Sequence, residues 1–256
     1  MIDAHFHYNL TSNNLLNDIN SIDNIMQEND IQKVLLHIVD YSISVENICN
    51  IKWPVKILPS VMLNPFEKES IIELEMLRNH NIRFVKLLPY EQNIFYEDFP
   101  LVLEYAKKVE EQKMCLVICA AYGSKKIYRT NGIHLVEYLL RNGIKTPIIV
   151  AHGGMPKIFD MMLLMDEYPN LFMDISFTLY YWWGSTIIQD YAFVIKKLSG
   201  KRIFYGSDYP YVSIEDSKNI FNEFCSKFEI SKDIERDILT NNFDLFYTNY
   251  FNNINV

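Results

Sequence analysis

The sequence predicts one closed barrel of eight parallel strands, each followed by a helix. Three observations predict it. The 256 residues are long for an ordinary single core but usual for a (β/α)₈ barrel. Eight short β-rich runs recur along the chain with helical patterns between them. Most of these runs are apolar throughout rather than alternating, as expected where both faces of a parallel strand are covered.

The runs are Met1–His7, Val34–Val39, Ile57–Leu63, Phe84–Leu88, Cys115–Cys119, Pro147–His152, Leu171–Ile175 and Arg202–Asp208. Between the first two, Leu15, Leu16, Ile19, Ile22, Ile25 and Met26 recur at i, i+3, i+4 spacing, the pattern of one helix face. Ile71, Ile72, Leu74 and Leu77 suggest a second helix. Leu101, Leu103, Ala106 and Val109 suggest another, with Pro100 suited to its first turn. A further one is Ile187, Ile188, Tyr191, Val194, Ile195 and Leu198, closed by Gly200. Strand–helix alternation needs right-handed crossovers, and eight such units close a TIM barrel. The main competitor, an open doubly wound sheet, would usually carry a Gly-rich phosphate turn after its first strand, and none is present. Residues 1–256 read as a single domain, and eight glycines and nine prolines leave little room for linkers.

Net charge −8 argues against a nucleic-acid partner, which would need a basic stripe. It leaves room for an anionic small molecule, since a few local cations can reverse the field in a pocket. Cys49, Cys115, Cys119 and Cys225 have no metal-finger spacing. No basic-plus-apolar leader and no membrane-length apolar run is seen. A cytoplasmic protein with reduced thiols is expected.

Ionisable residues interrupt the apolar runs at their C-terminal ends, which line the catalytic mouth of a barrel. His5 and His7 share a face by the period of two. Lys86 interrupts the fourth run, Cys119 ends the fifth, His152 ends the sixth and Asp208 ends the eighth. Imidazoles with a carboxylate suit zinc and similar ions, whereas an unpaired ammonium within an apolar strand is unfavourable without a role. His37 reads as a structural mid-strand residue, and His80 and His134 as solvated.

Asp3-Ala4-His5-Phe6-His7, Val150-Ala151-His152-Gly153-Gly154 and Tyr205-Gly206-Ser207-Asp208-Tyr209-Pro210 resemble, in order, the first-, sixth- and eighth-strand motifs of the amidohydrolase superfamily. The nearest branch is the amidohydrolase 2 group, which includes aminocarboxymuconate-semialdehyde decarboxylase-like enzymes. Phe84-Val85-Lys86-Leu87 and Ile238-Leu239-Thr240-Asn241-Asn242-Phe243 are similar to its fourth strand and closing helix. The resemblance implies one divalent ion, Zn²⁺ before others, held by His5, His7 and Asp208. Family members usually add a fifth-strand histidine, and Cys119 stands there. Three readings follow: a thiolate ligand, a weaker three-residue site, or a barrel without metal that is an enzyme or a non-catalytic binding protein.

By the same resemblance, Asp208 is the general base and His152 polarises the substrate carbonyl or its oxyanion. The reaction is hydrolysis of an amide, lactone or ester, or else decarboxylation of a conjugated or aromatic acid. Lys86 is expected to bind a substrate carboxylate or a neighbouring acid; the alternative is the carboxylated fourth-strand lysine that bridges two metals in some superfamily members. Lys125, Lys126 and Arg129, after the fifth run, add cations on the mouth side, with a solvated loop as the alternative. Tyr180, Tyr181, Trp182 and Trp183 could wall a conjugated substrate, pack a lid or form a subunit contact. A homodimer is compatible with the resemblance.

Overall fold

The structure, a computed structural model, describes residues 1–11, 14–121, 130 and 132–252. Eight strands form one sheet in sequence order, every neighbouring pair parallel. They are β1 (Ile2–His7), β2 (Lys33–Ile38), β3 (Ile57–Met62), β4 (Phe84–Leu87), β5 (Cys115–Cys119), β6 (Ile148–Ala151), β7 (Leu171–Asp174) and β8 (Ile203–Phe204). The last run is strand for only two residues, yet its backbone continues alongside β1. Ala4 N–H donates to Tyr205 O at 2.9 Å, Asp208 N–H to His5 O at 2.8 Å and His7 N–H to Tyr209 O at 2.8 Å. These bonds close the cylinder.

The expected helices form, with differences in facing: Leu16 and Leu101 are exposed on theirs. Helix Glu69–Asn79 buries Ser70, Leu74 and Leu77, whereas Ile71 and Ile72 are exposed. The apolar pattern marked the helix but not its buried stripe. Among the described residues, no helix is long and apolar enough to cross a membrane.

Strand alternation divides the core in two. Residues such as Val34, Leu36, Val85, Leu116, Ile118 and Val150 face the helices. Leu35, Leu58, Phe84, Val117, Ile149, Phe172 and Phe204 face the barrel axis, where Phe243, Phe246 and Phe251 of the closing helical segments plug the lower end. This apolar floor excludes water from below. On the same inward face, one step further along the strands, stand His37, Lys86, Cys119, Asp174 and Asp208. Period-two geometry thus carries the polar residues onto the axis above a dry floor.

Candidate metal centre and its cavity

The first strand is irregular where it matters. Its register to β2 runs Asp3 to Val34 and then Phe6 to Leu36, so β1 holds one extra residue between those pairs. Such a bulge re-aims the side chains beside it. Asp3 secures the distorted segment, accepting from His5 N–H at 3.1 Å and from Ser207 N–H at 2.9 Å. Gly206 allows β8 to come this close, because a Cβ there would stand 2.6 Å from the His5 Cβ. The Asp-x-His and Gly-Ser-Asp segments are therefore one interlocked unit.

The unit brings three ligand atoms together. His5 Nε2 and His7 Nε2 are 3.2 Å apart. Asp208 Oδ1 lies 3.4 Å from the first and 3.6 Å from the second. An ion bonded at about 2.0–2.1 Å in tetrahedral geometry would separate its ligands by roughly 3.3–3.4 Å. The triangle has ion-sized edges, and its donors are nitrogen and oxygen, so a divalent ion fits. Asp174 Oδ2 receives His5 Nδ1–H at 3.0 Å, which leaves the His5 Nε2 lone pair pointing into the triangle. Burial holds the conjugate acids of His5 and His7 well below their ordinary range, with Lys86 adding to the effect. Both rings are thus neutral, the form in which imidazole can hold an ion.

His152 sits beside this triangle, its ring centroid 4.6 Å from that of His5. Its N–H donates to Asp174 Oδ1 at 3.1 Å, and its Nδ1 lies 3.1 Å from Ser176 O. With Nδ1 committed to that carbonyl, Nε2 is the nitrogen left for chemistry. Asp174 also accepts from the Ser176 hydroxyl. His152, Phe177 and Asp208 all hold positive φ, at 62°, 59° and 63°. A non-glycine residue in this region is strained, and among the described residues these three are the ones that carry side chains to the cavity.

Above the triangle opens a cavity of about 590 Å³. Its polar wall includes His5, His7, Lys86, Cys119, His152 and Asp208, and its aromatic wall includes Tyr90, Phe177 and Tyr211. Burial pushes the Asp208 carboxyl up, opposed by Lys86, and pushes the Lys86 ammonium down. An ion at the triangle would draw Asp208 back toward its charged form.

A family model described as amidohydrolase matches residues 40–242. The chain belongs to the amidohydrolase family. Its members and structural neighbours are hydrolases and decarboxylases, and this amidohydrolase is an enzyme of that kind. No curated protein matches the sequence. Among solved structures, a probable 2-pyrone-4,6-dicarboxylic acid hydrolase from Acinetobacter baumannii, with citric acid bound, shares the fold at TM-score 0.69 and 17% identity. That match covers 98% of each chain. A 5-carboxyvanillate decarboxylase from Sphingomonas paucimobilis matches at TM-score 0.67 and 12% identity, over 96% of this chain and 98% of that one. A dihydroxybenzoic acid decarboxylase from Polaromonas, with manganese and 2-nitroresorcinol bound, matches at 0.63 and 14%, over 100% and 98%.

The amidohydrolase barrel brings His5, His7, His152, Lys86, Cys119 and Asp208 to one cavity. Among the described residues, two groups of three ligand atoms lie within 4.8 Å of one another, His5–His7–Asp208 and His5–His152–Asp174; Cys119 lines the wall but belongs to neither. Burial pushes its thiol up to about 11, against the pull of Lys86. Tyr181 and Trp182 do not line the cavity. Tyr181 stacks behind Phe177 at 5.2 Å, and the Trp182 indole N–H points to Met155 Sδ at 3.1 Å. Phe177, where the chain holds positive φ, lines the wall. Arg129, Lys125 and Lys126 lie outside the described residues. His80 is exposed, as expected, while half-buried His134 meets Lys157 Nζ at 2.9 Å.

Sequence reading missed Asp174, which orients both His5 and His152. Its signal was the one that marked Lys86: an ionisable residue at the C-terminal end of an apolar strand, Leu171-Phe172-Met173-Asp174. His37 was set aside as structural, yet its ring lies 4.3 Å from that of His5.

Proposed function

We propose that the protein is a divalent-metal-dependent hydrolase acting on the carbonyl of a small, carboxylate-bearing amide, lactone or ester. The observation that carries the reading is the triangle of His5 Nε2, His7 Nε2 and Asp208 Oδ1, with ion-sized edges under an open cavity. His5, His7 and Asp208 would hold one ion. Two neutral imidazoles and a carboxylate support Zn²⁺, with Mn²⁺ as the competitor to include in any test. Bound there, the ion supplies Lewis acidity that polarises a carbonyl and acidifies water.

The remaining chemistry belongs to the chain. Asp208 takes the proton of the attacking water and returns it to the leaving group. His152, with Nδ1–H tied to Ser176 O, is assigned to the carbonyl oxygen, to which it donates from Nε2 when the ring carries its second proton as negative charge develops. Lys86 pairs with the substrate carboxylate near the axis, and Arg129 is assigned to the same anion from the sequence alone. Phe177 supplies an apolar face, backed by Tyr181, with Trp182 packed on Met155. Cys119 is placed as a wall residue whose thiolate ligation is open to test. Four free buried cysteines support a reducing, cytoplasmic setting.

Decarboxylation is the second reading. Tyr90, Phe177 and Tyr211 favour it, because they give a flat conjugated acid surfaces to lie against. Purified protein reconstituted with Zn²⁺ or Mn²⁺ and offered lactones, amides and conjugated carboxylic acids separates the two. Ring-opened or cleaved acids without CO₂ support hydrolysis. Release of CO₂ supports the second reading, and a protein that retains no ion removes both.

A further inference from the structure

Under the ion triangle, two adjacent residues carry polar atoms that nothing in the described protein satisfies. His37 is buried on β2, and neither Nδ1 nor Nε2 has a hydrogen-bond partner. Ser60, its register partner on β3, is buried with an equally solitary Oγ. Buried histidines and serines are ordinarily hydrogen-bonded, and an apolar residue of similar shape would be the more stable occupant. One step down the same face, Leu35 and Leu58 show that this interior accepts aliphatic side chains. A polar pair here therefore needs a reason beyond packing.

Its placement supplies one. His37 pairs with His7 in register. Its ring meets His5 nearly edge-on, at 4.3 Å and 71°, and lies 5.3 Å from the His7 ring. It thus touches both imidazoles of the triangle while lying outside the cavity wall, where it cannot meet substrate.

We propose that His37, supported by Ser60, is a positioning residue of the ion site. It sets the ring planes of His5 and His7, and its own nitrogens gain partners in the water that enters with the ion. The inference rests on the metal-dependent reading above.

The test uses the full chain stripped of metal, titrated with Zn²⁺ and Co²⁺ against a chromophoric chelator. His37→Phe keeps the ring volume and removes the solitary nitrogens. Ion-free His37→Phe should melt at or above the wild-type temperature, while Zn²⁺ binding weakens roughly 10–100-fold, the range for residues that orient metal ligands. The Co²⁺ absorption spectrum should change as well. Ser60→Ala should shift affinity in the same direction by less, and the double variant should go no further than His37→Phe. Should His37→Phe fail to fold, His37→Gln decides by the same affinity readout. A Zn²⁺ Kd within about twofold of wild type in the folded variant overturns the assignment. Wild-type protein that binds neither ion removes the proposed function itself.

Discussion

Lys86 Nζ lies 3.1 Å from His5 Nε2, the nitrogen that heads the ion triangle. Lysine and ion therefore compete for one lone pair. Two unit charges about 4 Å apart repel by roughly 4 kcal/mol at an effective dielectric of 20, before solvent and neighbours respond. Replacing Lys86 with Met should tighten Zn²⁺ binding by at least ~10-fold and lower kcat/KM on carboxylate-bearing substrates. Weaker Zn²⁺ binding in Lys86→Met would mean that the lysine supports the ion rather than opposing it.

Asp208 should be indispensable to turnover. Asp208→Asn keeps the side-chain shape but removes both the base and an anionic donor. Activity should fall by about 10²–10⁴-fold or more, with the far-UV spectrum and melting temperature close to wild type. A variant that retains activity would contradict the general-base role.

Asp174 should matter at a distance from substrate. It holds His5 Nδ1, His152 N–H and the Ser176 backbone N–H together. Asp174→Asn replaces one acceptor oxygen with a donor and faces at least one of these groups with the wrong partner. Metal affinity should drop about 10–100-fold, and stability should fall by roughly 1–3 kcal/mol. Chemical denaturation with and without Zn²⁺ measures both, and unchanged values would rule out the orienting role.

Cys119→Ala distinguishes a ligand from a wall residue. The thiol stands outside both close ligand groups, so one ion per chain should remain bound. Loss of ion from Cys119→Ala, measured by elemental analysis, would restore the thiolate to the coordination set.

Acid should destabilise the ion-free protein. Burial holds His5, His7, His37 and His152 below the ordinary value of 6.5. The unfolded chain binds protons that the folded chain refuses, so stability is full above 6.5 and declines as pH falls below it. Each histidine contributes about 1.4 kcal/mol per pH unit until its folded pKa is reached. Asp3, raised by burial to about 6, and Asp208, also raised, work in the opposite direction as they take up protons in the fold. They offset part of the loss, and the four histidines outnumber them, so the ion-free fold should still weaken on acidification. Melting temperature against pH in the presence of a chelator measures this, and a flat profile from pH 7 to 5.5 would contradict it.

The sequence by itself determined the barrel and most of its polar rim. Eight apolar runs of strand length can be buried only in a sheet covered on both sides, and side-chain alternation is local enough to read from His5-x-His7 or from Lys86 inside Phe84–Leu87. The carboxylate ending Leu171–Asp174 was equally readable, since a charge at the close of a buried strand carries the same cost as Lys86. Tertiary structure decided which of these groups touch. The extra residue in β1, the close approach of Gly206 to His5 and the tether from Asp3 to Ser207 place Asp208 on the triangle and leave Cys119 beside it. Those contacts link residues some two hundred positions apart through backbone geometry, on which no local periodicity bears. The turn at Phe177 belongs with them, because a positive φ is imposed by surrounding packing and leaves no mark in residue type.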